Sequence, residues 1–303
     1  MFGIDGTDSF CLAYLGTTTY SRLTKIKRDL LPIVKQELSA TYQVEREIGR
    51  GGAARVFLAL TADGERVALK VLHPQLAVSV TGERFLREIA LLKSLDHPYI
   101  AKLLDYGEND WLLYYVMPYI DGPTLRSYLD RKQRVMLRDS LIATSNLLEA
   151  LSYAHGKGIV HRDVKPDNIA LSRNGAILLD FGVARAIAAS GSDRVTRSGF
   201  TVGTSTYMSP EQAIGATDID HRSDIYSLGC VLFECLAGRP PYSHKSEFVV
   251  LQMHQDAEIP DIRKFNADIP DPVAKAIAGA LQKNRDDRWQ AASEMRDLVR
   301  QAL

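Results

Sequence analysis

The chain has 303 residues, and its 37 Lys and Arg balance 37 Asp and Glu, so the formal net charge is zero. This balance offers no basic excess for nucleic acid or a membrane surface, and we expect neither partner. Three cysteines without a CxxC pair favour a reducing compartment. No apolar run approaches the roughly 18 residues of a membrane helix, so a cytoplasmic chain without a membrane segment is expected.

Residues 1 to 41 are predicted to form an N-terminal extension. Their second half, "SRLTKIKRDLLPIVKQELSA", is basic and could be helical, with an interruption at Pro32. A loosely packed, solvated segment is the favoured interpretation, and a specific docking element is the alternative.

From residue 42 the runs "YQVEREIG", "ARVFLAL" and "ERVALKVL" predict short strands, with "TADG" as a turn before the last. A helix is predicted in "TGERFLREIALLKSL", followed by strands in "AKLLDYGE" and "WLLYYVM". After "DGPTL" the pattern becomes mostly helical, with a hairpin around "SRNG" and long helices near 137–155 and 223–237. A strand-rich lobe followed by a larger helical lobe predicts an α+β fold with a cleft between them.

The strand "VALKVL" carries a lysine in an apolar setting. With a period of two, Val67, Leu69 and Val71 share one face, while Ala68 and Lys70 share the other. A lysine on an otherwise buried strand needs an anionic partner. An edge-strand lysine that reaches solvent is the alternative.

The predicted helix after this strand carries a matching acid. Glu88 lies on the same face as Phe85, Leu92 and Leu95, where a carboxylate is costly unless a cation meets it. Lys70 is the candidate partner, and an exposed surface glutamate is the alternative.

The stretch "HRDVKPDN", residues 161 to 168, places Asp163, Lys165 and Asn168 within six residues. Phosphoryl transfer needs a carboxylate that orients a hydroxyl, a cation near the phosphoryl group and an oxygen ligand for Mg²⁺. The predicted hairpin "NIAL", "SRNG", "AILLD" would bring Asp180 back beside Asn168. Two oxygen ligands at one end of a hairpin suit a Mg²⁺ shared with nucleotide phosphates.

The motifs "GRGGAARV", "VALK", "HRDVKPDN", "DFG" and "SPE" follow one another in this order, with Asp224 in "SDIYSLG" and Arg288 in "RDDRW". Over about residues 42 to 300 the chain resembles the eukaryotic-like (Hanks-type) serine/threonine protein kinases. Segments such as "VLFECLAGRPPY" most resemble the bacterial members. The resemblance implies a two-lobed fold: a small antiparallel N-lobe sheet with one key helix (about 42–117), and a larger helical C-lobe (about 121–303).

The resemblance assigns roles in catalysis and metal binding. Lys70 would hold the α- and β-phosphates of ATP and pair with Glu88. Asp163 would be the catalytic base, with Lys165 beside it. Asn168 and Asp180 would bind Mg²⁺ or Mn²⁺, with ATP as co-substrate.

The resemblance also implies a nucleotide site, with Met117 as gatekeeper and the backbone of Pro118 and Ile120 bonded to adenine. Ala54 stands where a third loop glycine is usual, but its methyl group bars only left-handed backbone angles, so the loop should work. The implied ATP-binding residues are Ile48, Gly49, Arg50, Gly51, Gly52, Ala53, Ala54, Val56, Ala68, Lys70, Met117, Pro118, Ile120 and Ala170.

Supporting contacts are implied as well. Asp224 and the pair formed by Glu211 and Arg288 would brace the catalytic and activation segments. His161, Phe181 and Leu92 would stack within an apolar spine.

The segment before "SPE" is rich in hydroxyl groups. Lys165, two residues after the base, and Thr204 are typical of members that phosphorylate Ser or Thr in protein substrates. "VTRS" makes Thr196 and Ser198 the expected activation-loop phosphosites, whose phosphates Arg162 could bind. Ser190, Ser192 and Thr201 are the alternates. A polar loop without a regulatory role is the alternative, and a homodimer would allow autophosphorylation in trans.

These features predict a serine/threonine protein kinase. A nucleotide-binding pseudokinase that acts as a scaffold is the first alternative, and it is disfavoured because Lys70, Asp163, Asn168 and Asp180 are all present. A small-molecule kinase is the second, and it is disfavoured by the protein-docking segment "GTSTYMSPEQ".

Overall fold

The computed structural model describes residues 30–51, 54–72, 89–90, 92–109, 112–181 and 205–303. The first described element is helix α1 (Leu31–Glu37), which has Pro32 in its first turn. Proline is well tolerated there because its missing N–H would have no partner inside the helix. Pro32 therefore lies in the first turn of this helix. Because residues 1–29 fall outside the described residues, the interruption of a longer helical segment at Pro32 stays a prediction.

A five-stranded antiparallel sheet forms the N-lobe, in the order β1-β2-β3-β5-β4. Its strands are β1 (Gln43–Arg50), β2 (Ala54–Leu60), β3 (Arg66–Leu72), β4 (Asp105–Asn109) and β5 (Leu112–Pro118). The predicted strands are confirmed, except that residues 101–104 precede β4. The helix predicted from residue 81 to 95 falls largely outside the described residues, but 89, 90 and 92 are helical.

The two faces of this sheet bury different sets of side chains. The face away from the cleft buries Leu30, Val34, Leu38, Tyr42, Val44, Phe57, Ala59, Val67, Leu69, Val71, Leu112 and Val116. The cleft face buries Ala54, Ala68, Leu72, Ile89, Leu103, Leu113, Tyr115 and Met117. The alternation predicted for β3 is confirmed. Because α1 and its flanks contribute three buried side chains, the prediction of a loosely packed extension is wrong for residues 30–38.

The C-lobe is mostly helical, and the helix Arg222–Ala237 runs through its centre with nearly every residue buried. Its elements are α2 (Leu125–Lys132), α3 (Leu137–Gly156), β6 (Ile169–Ser172), β7 (Gly175–Leu178), α4 (Pro210–Ala213), α5 (Arg222–Ala237), α6 (Glu247–Asp256), α7 (Asp271–Ala280) and α8 (Ala292–Arg300). The predicted long helices and the β6–β7 hairpin are confirmed. Across the described ranges, no helix combines the length and apolar character needed to span a membrane.

The segment between β5 and α2 lies directly against the floor of the cleft. Pro123 accepts a backbone hydrogen bond from Leu171, and Thr124 forms a bridge with Ala170. A Cβ atom at Gly122 would lie 1.9 Å from the carbonyl oxygen of Leu171, so only glycine fits here. This contact anchors on β6 the segment that follows the N-lobe sheet. The predicted α+β fold is confirmed.

Candidate active site

The loop from residue 161 to 168 is tied to the centre of the C-lobe by one buried carboxylate. Asp224 of α5 accepts the backbone N–H groups of His161 at 2.8 Å and Arg162 at 2.7 Å, and the His155 ring N–H at 2.8 Å. Burial alone would raise the pKa of Asp224, but the hydrogen bond and charge of His155 hold it below its usual value. The predicted bracing contact is confirmed.

His161 links this loop to the segment after β7. Its Nδ1 accepts the N–H of Asp163 at 3.1 Å, so its Nε2 carries the proton that is donated to the carbonyl of Leu179 at 2.7 Å. The ring meets the edge of Phe181, with ring centroids 4.7 Å apart. The predicted contact of His161 with Phe181 is confirmed with an edge-to-face geometry, and Leu92 packs against the buried cluster that contains Phe181.

The two carboxylate oxygens of Asp163 have different surroundings. Oδ2 lies 2.8 Å from Lys165 Nζ and accepts Asn168 Nδ2 at 2.9 Å. Asn168 also donates to the backbone carbonyl of Asp163 at 2.9 Å, which fixes the loop turn. No described residue donates to Oδ1, so this oxygen is available to accept a hydrogen bond from a substrate hydroxyl.

Asn168 and Asp180 meet at one end of the hairpin, as predicted. The N–H of Leu179 donates to the carbonyl of Asn168 at 2.9 Å, which extends the β6–β7 ladder to the residue before Asp180. Because the amide nitrogen of Asn168 faces Asp163, its amide oxygen faces away and can serve as a ligand. Two protein oxygens complemented by phosphates and water are the usual environment of Mg²⁺, so this donor set fits the ion. No cluster of three or more metal-binding side chains exists within the described ranges.

The carboxylate of Asp180 is also bound from the N-lobe. Lys70 Nζ lies 2.5 Å from Oδ2, and the hydroxyl of Tyr115 donates to Oδ1 at 2.7 Å. Burial opposes the charge of Asp180, but Lys70 and both hydrogen bonds outweigh it and keep its pKa below the usual range. Glu88 lies outside the described residues, so its pairing with Lys70 stays a prediction. Tyr115 was not predicted from the sequence.

The residues expected to line an adenine pocket include members of β3, β5 and β6. Ala68 stands opposite Met117 in the β3–β5 ladder, and Ala170 of β6 is buried below them. Pro118 is the last residue of β5, and the N–H of Ile120 donates to no described residue. A free donor at Ile120 fits the hydrogen bond to adenine that the sequence predicts. Ile48 and Val56 pack against the cleft-face cluster above this pocket.

The glycine loop is described on both sides of its tip. Ala54 pairs with Leu72 in β2, so its methyl group stands on extended backbone, as expected. The N–H of Gly51 donates to the carbonyl of Ala54 at 2.9 Å, which closes the loop at its base. Gly52 and Ala53 lie outside the described residues. Gly49 and Arg50 end β1 on the opposite side of the loop.

A buried ion pair braces the start of α4. Arg288 donates to both carboxylate oxygens of Glu211, at 2.7 and 2.6 Å, and Ser223 donates to the first of them. The pairing predicted for these two residues is confirmed. The predicted phosphosites Thr196 and Ser198 fall outside the described residues, as does Thr204.

A carboxylate with one oxygen left open, two further oxygen-bearing side chains and a lysine lie near one another, and this combination fits a phosphotransferase site of the two-lobed class. The protein kinase domain family matches residues 42–300. The chain therefore belongs to the protein kinase family, in its Hanks-type serine/threonine branch, as the sequence predicted.

Similar proteins come from several bacteria. Serine/threonine-protein kinase PknB of Mycolicibacterium smegmatis is 42% identical over 274 residues, which cover 88% of this chain and 43% of the relative. PknB of Mycobacterium tuberculosis is 42% identical over 275 residues, covering 87% and 43%. PrkC of Bacillus subtilis is 36% identical over 275 residues, covering 89% and 42%. The chain thus spans less than half the length of these relatives.

Proposed function

We propose that this chain transfers the γ-phosphoryl group of ATP to serine or threonine hydroxyls of protein substrates. The observation that carries the proposal is the arrangement around Asp163, where Lys165 and Asn168 occupy one carboxylate oxygen and leave the other for a hydroxyl. Asp163 would orient the hydroxyl and accept its proton as the new bond forms. The cytoplasmic location expected from the sequence stays a prediction.

The neighbouring side chains would position the nucleotide. Asn168 and Asp180 would hold Mg²⁺ or Mn²⁺, which when bound neutralises the phosphate charge. Lys70 would contact the α- and β-phosphates, since it already lies beside Asp180 at the roof of the cleft. Ala68 and Met117 would enclose adenine.

The test is phosphate transfer by the purified chain with Mg-ATP, followed by intact and peptide mass spectrometry. Asp163→Asn should lower transfer by on the order of 10²–10⁴ and keep nucleotide binding. Asp167→Asn is the matched control, because it removes an exposed carboxylate from the same loop. Equal rates in the two variants would contradict the role of Asp163. Nucleotide binding without transfer in the unmodified chain would favour the pseudokinase alternative.

We also propose Thr196 and Ser198 as autophosphorylation sites and transfer between two copies of the chain. A Lys70→Met copy of different mass should become phosphorylated on these residues when it is mixed with the unmodified chain. The initial rate should then rise with the square of concentration. A first-order rate together with an unphosphorylated Lys70→Met copy would show transfer within one molecule instead.

A further inference from the structure

One hydroxyl group in the cleft belongs to no motif. Tyr115 lies on the cleft face of β5 with Leu113 and Met117, and only 3% of its surface is exposed. It stands directly opposite Lys70 in the β3–β5 ladder. A buried tyrosine hydroxyl is costly unless it finds a hydrogen-bond partner.

The partner of this hydroxyl is the carboxylate of Asp180, 65 residues away in the chain. Tyr115 donates to Oδ1 at 2.7 Å, while Lys70 Nζ lies 2.5 Å from Oδ2. Each oxygen therefore receives one donor, and the two donors come from adjacent strands of the N-lobe. Together they fix the rotation of the carboxylate about its own axis.

The backbone of Asp180 is strained, so its side-chain contacts help to hold its conformation. Its φ angle of +59° lies in the left-handed region, which an L-residue occupies at a cost of about 1–3 kcal/mol. Such a conformation persists only where neighbouring groups enforce it. Within the described residues, Lys70 and Tyr115 are the side chains that bind this carboxylate.

We propose that Tyr115 is a positioning residue that orients Asp180 for the divalent metal. This inference rests on the proposed function, in which Asp180 is a metal ligand. A carboxylate offers about four lone-pair positions, so the phenol occupies one and leaves others for the ion. Hydrogen bonds to ligating carboxylates commonly set metal affinity, and their removal costs about 10–100-fold.

The opposite role is a latch, in which Tyr115 and Lys70 hold Asp180 away from the metal. The two roles predict opposite changes in metal affinity when the hydroxyl is removed. Removing the hydroxyl weakens metal binding if Tyr115 positions Asp180, and strengthens it if Tyr115 is a latch.

Tyr115→Phe removes the hydroxyl and keeps the buried ring. Tyr114→Phe is the matched control, because Tyr114 immediately precedes Tyr115 in β5 and packs on the other face of the sheet. Mn²⁺ binding would be followed by electron paramagnetic resonance in the presence of a non-hydrolysable ATP analogue. We expect the Mn²⁺ dissociation constant to rise about 10-fold in Tyr115→Phe and to stay within about 2-fold in Tyr114→Phe.

The kinetic measurement separates positioning from general damage. In Tyr115→Phe the Mg²⁺ concentration for half-maximal transfer should rise by a similar factor, while kcat at saturating Mg²⁺ stays within about 2-fold. Loss of kcat with unchanged metal dependence would overturn the proposal, as would tighter Mn²⁺ binding or an effect equal to that of Tyr114→Phe.

Two further variants cover low stability and a failure of the underlying function. Should Tyr115→Phe fold but be too unstable for the metal titration, the double-mutant cycle of Tyr115→Phe with Asp180→Asn in chemical unfolding tests the contact directly. Additive effects on stability would then refute the coupling of the two residues. Asp180→Asn alone tests the proposed function: unchanged Mn²⁺ binding in this variant would reject Asp180 as a ligand, independently of Tyr115.

Discussion

The packing of α1 on the N-lobe gives a stability prediction that the sequence interpretation would not make. Val34 is 0% exposed and lies among side chains of β1, β2, β3 and β5. Val34→Ala removes the equivalent of two methylene groups, or about 1.6 kcal/mol of transfer free energy at about 0.8 per group. The cavity left behind adds to this, so we expect a loss of about 2–3 kcal/mol in the free energy of unfolding.

The matched control is Gln36→Ala on the same helix, because Gln36 is exposed. Surface substitutions of this kind usually change stability by less than about 0.5 kcal/mol. Urea unfolding of the full chain, followed by circular dichroism, would measure both variants. Since α1 covers the sheet face away from the cleft, the KM for ATP should stay unchanged in Val34→Ala. Equal midpoints for the two variants would refute the docking of α1.

Three other perturbations test the fold around the cleft. Gly122→Ala places a methyl group against the backbone of β6 and should cost roughly 1–3 kcal/mol in urea unfolding, whereas Gly156→Ala, which meets no neighbour, should cost nothing. Glu211→Gln leaves the buried Arg288 without its charged partner and should cost about 3–5 kcal/mol; a loss under about 1 would contradict the pairing. Burial and a nearby lysine lower the pKa of His254 to about 4 in the folded chain. As the pH falls, His254 is therefore protonated in the unfolded chain before it is protonated in the folded chain. Stability should therefore fall by about 2 kcal/mol from pH 7 to pH 5, and His254→Gln should lack that part of the slope.

The parts of the site that lie close together in the chain could be predicted from the sequence. Asp163, Lys165 and Asn168 fall within one short loop, so their mutual contacts need little tertiary information. Asp180 follows a hairpin whose turn residues fix the register, and the ladder does bring it beside Asn168. Strand periodicity likewise identified the face of β3 that carries Lys70, because side chains alternate strictly along a strand.

Contacts between distant segments could not be predicted in this way. Tyr115 is one of two tyrosines in an apolar strand, and nothing in its neighbours indicated a carboxylate partner. Its position two residues before Met117 on the same face of β5 is the signal that could have identified it. Leu30, Val34 and Leu38 show a helical spacing, but the basic residues around them favoured the interpretation of a solvated segment over that of a helix packed on the sheet.

Backbone strain explains why the geometry of the site depends on such distant contacts. Arg162 lies in the loop from residue 161 to 168, and Asp180 lies two residues after the end of β7. Their φ angles are +67° and +59°. Neither residue is a glycine, so each conformation costs about 1–3 kcal/mol and would not persist in an isolated segment. Asp224 accepts the backbone N–H of Arg162 from the C-lobe core, and Tyr115 donates to the carboxylate of Asp180 from the N-lobe sheet. Hydrogen bonds to buried charged groups contribute about 1.5–3 kcal/mol each, which offsets the strain. The motif supplies the reacting groups, and residues far from it in the chain hold those groups in place.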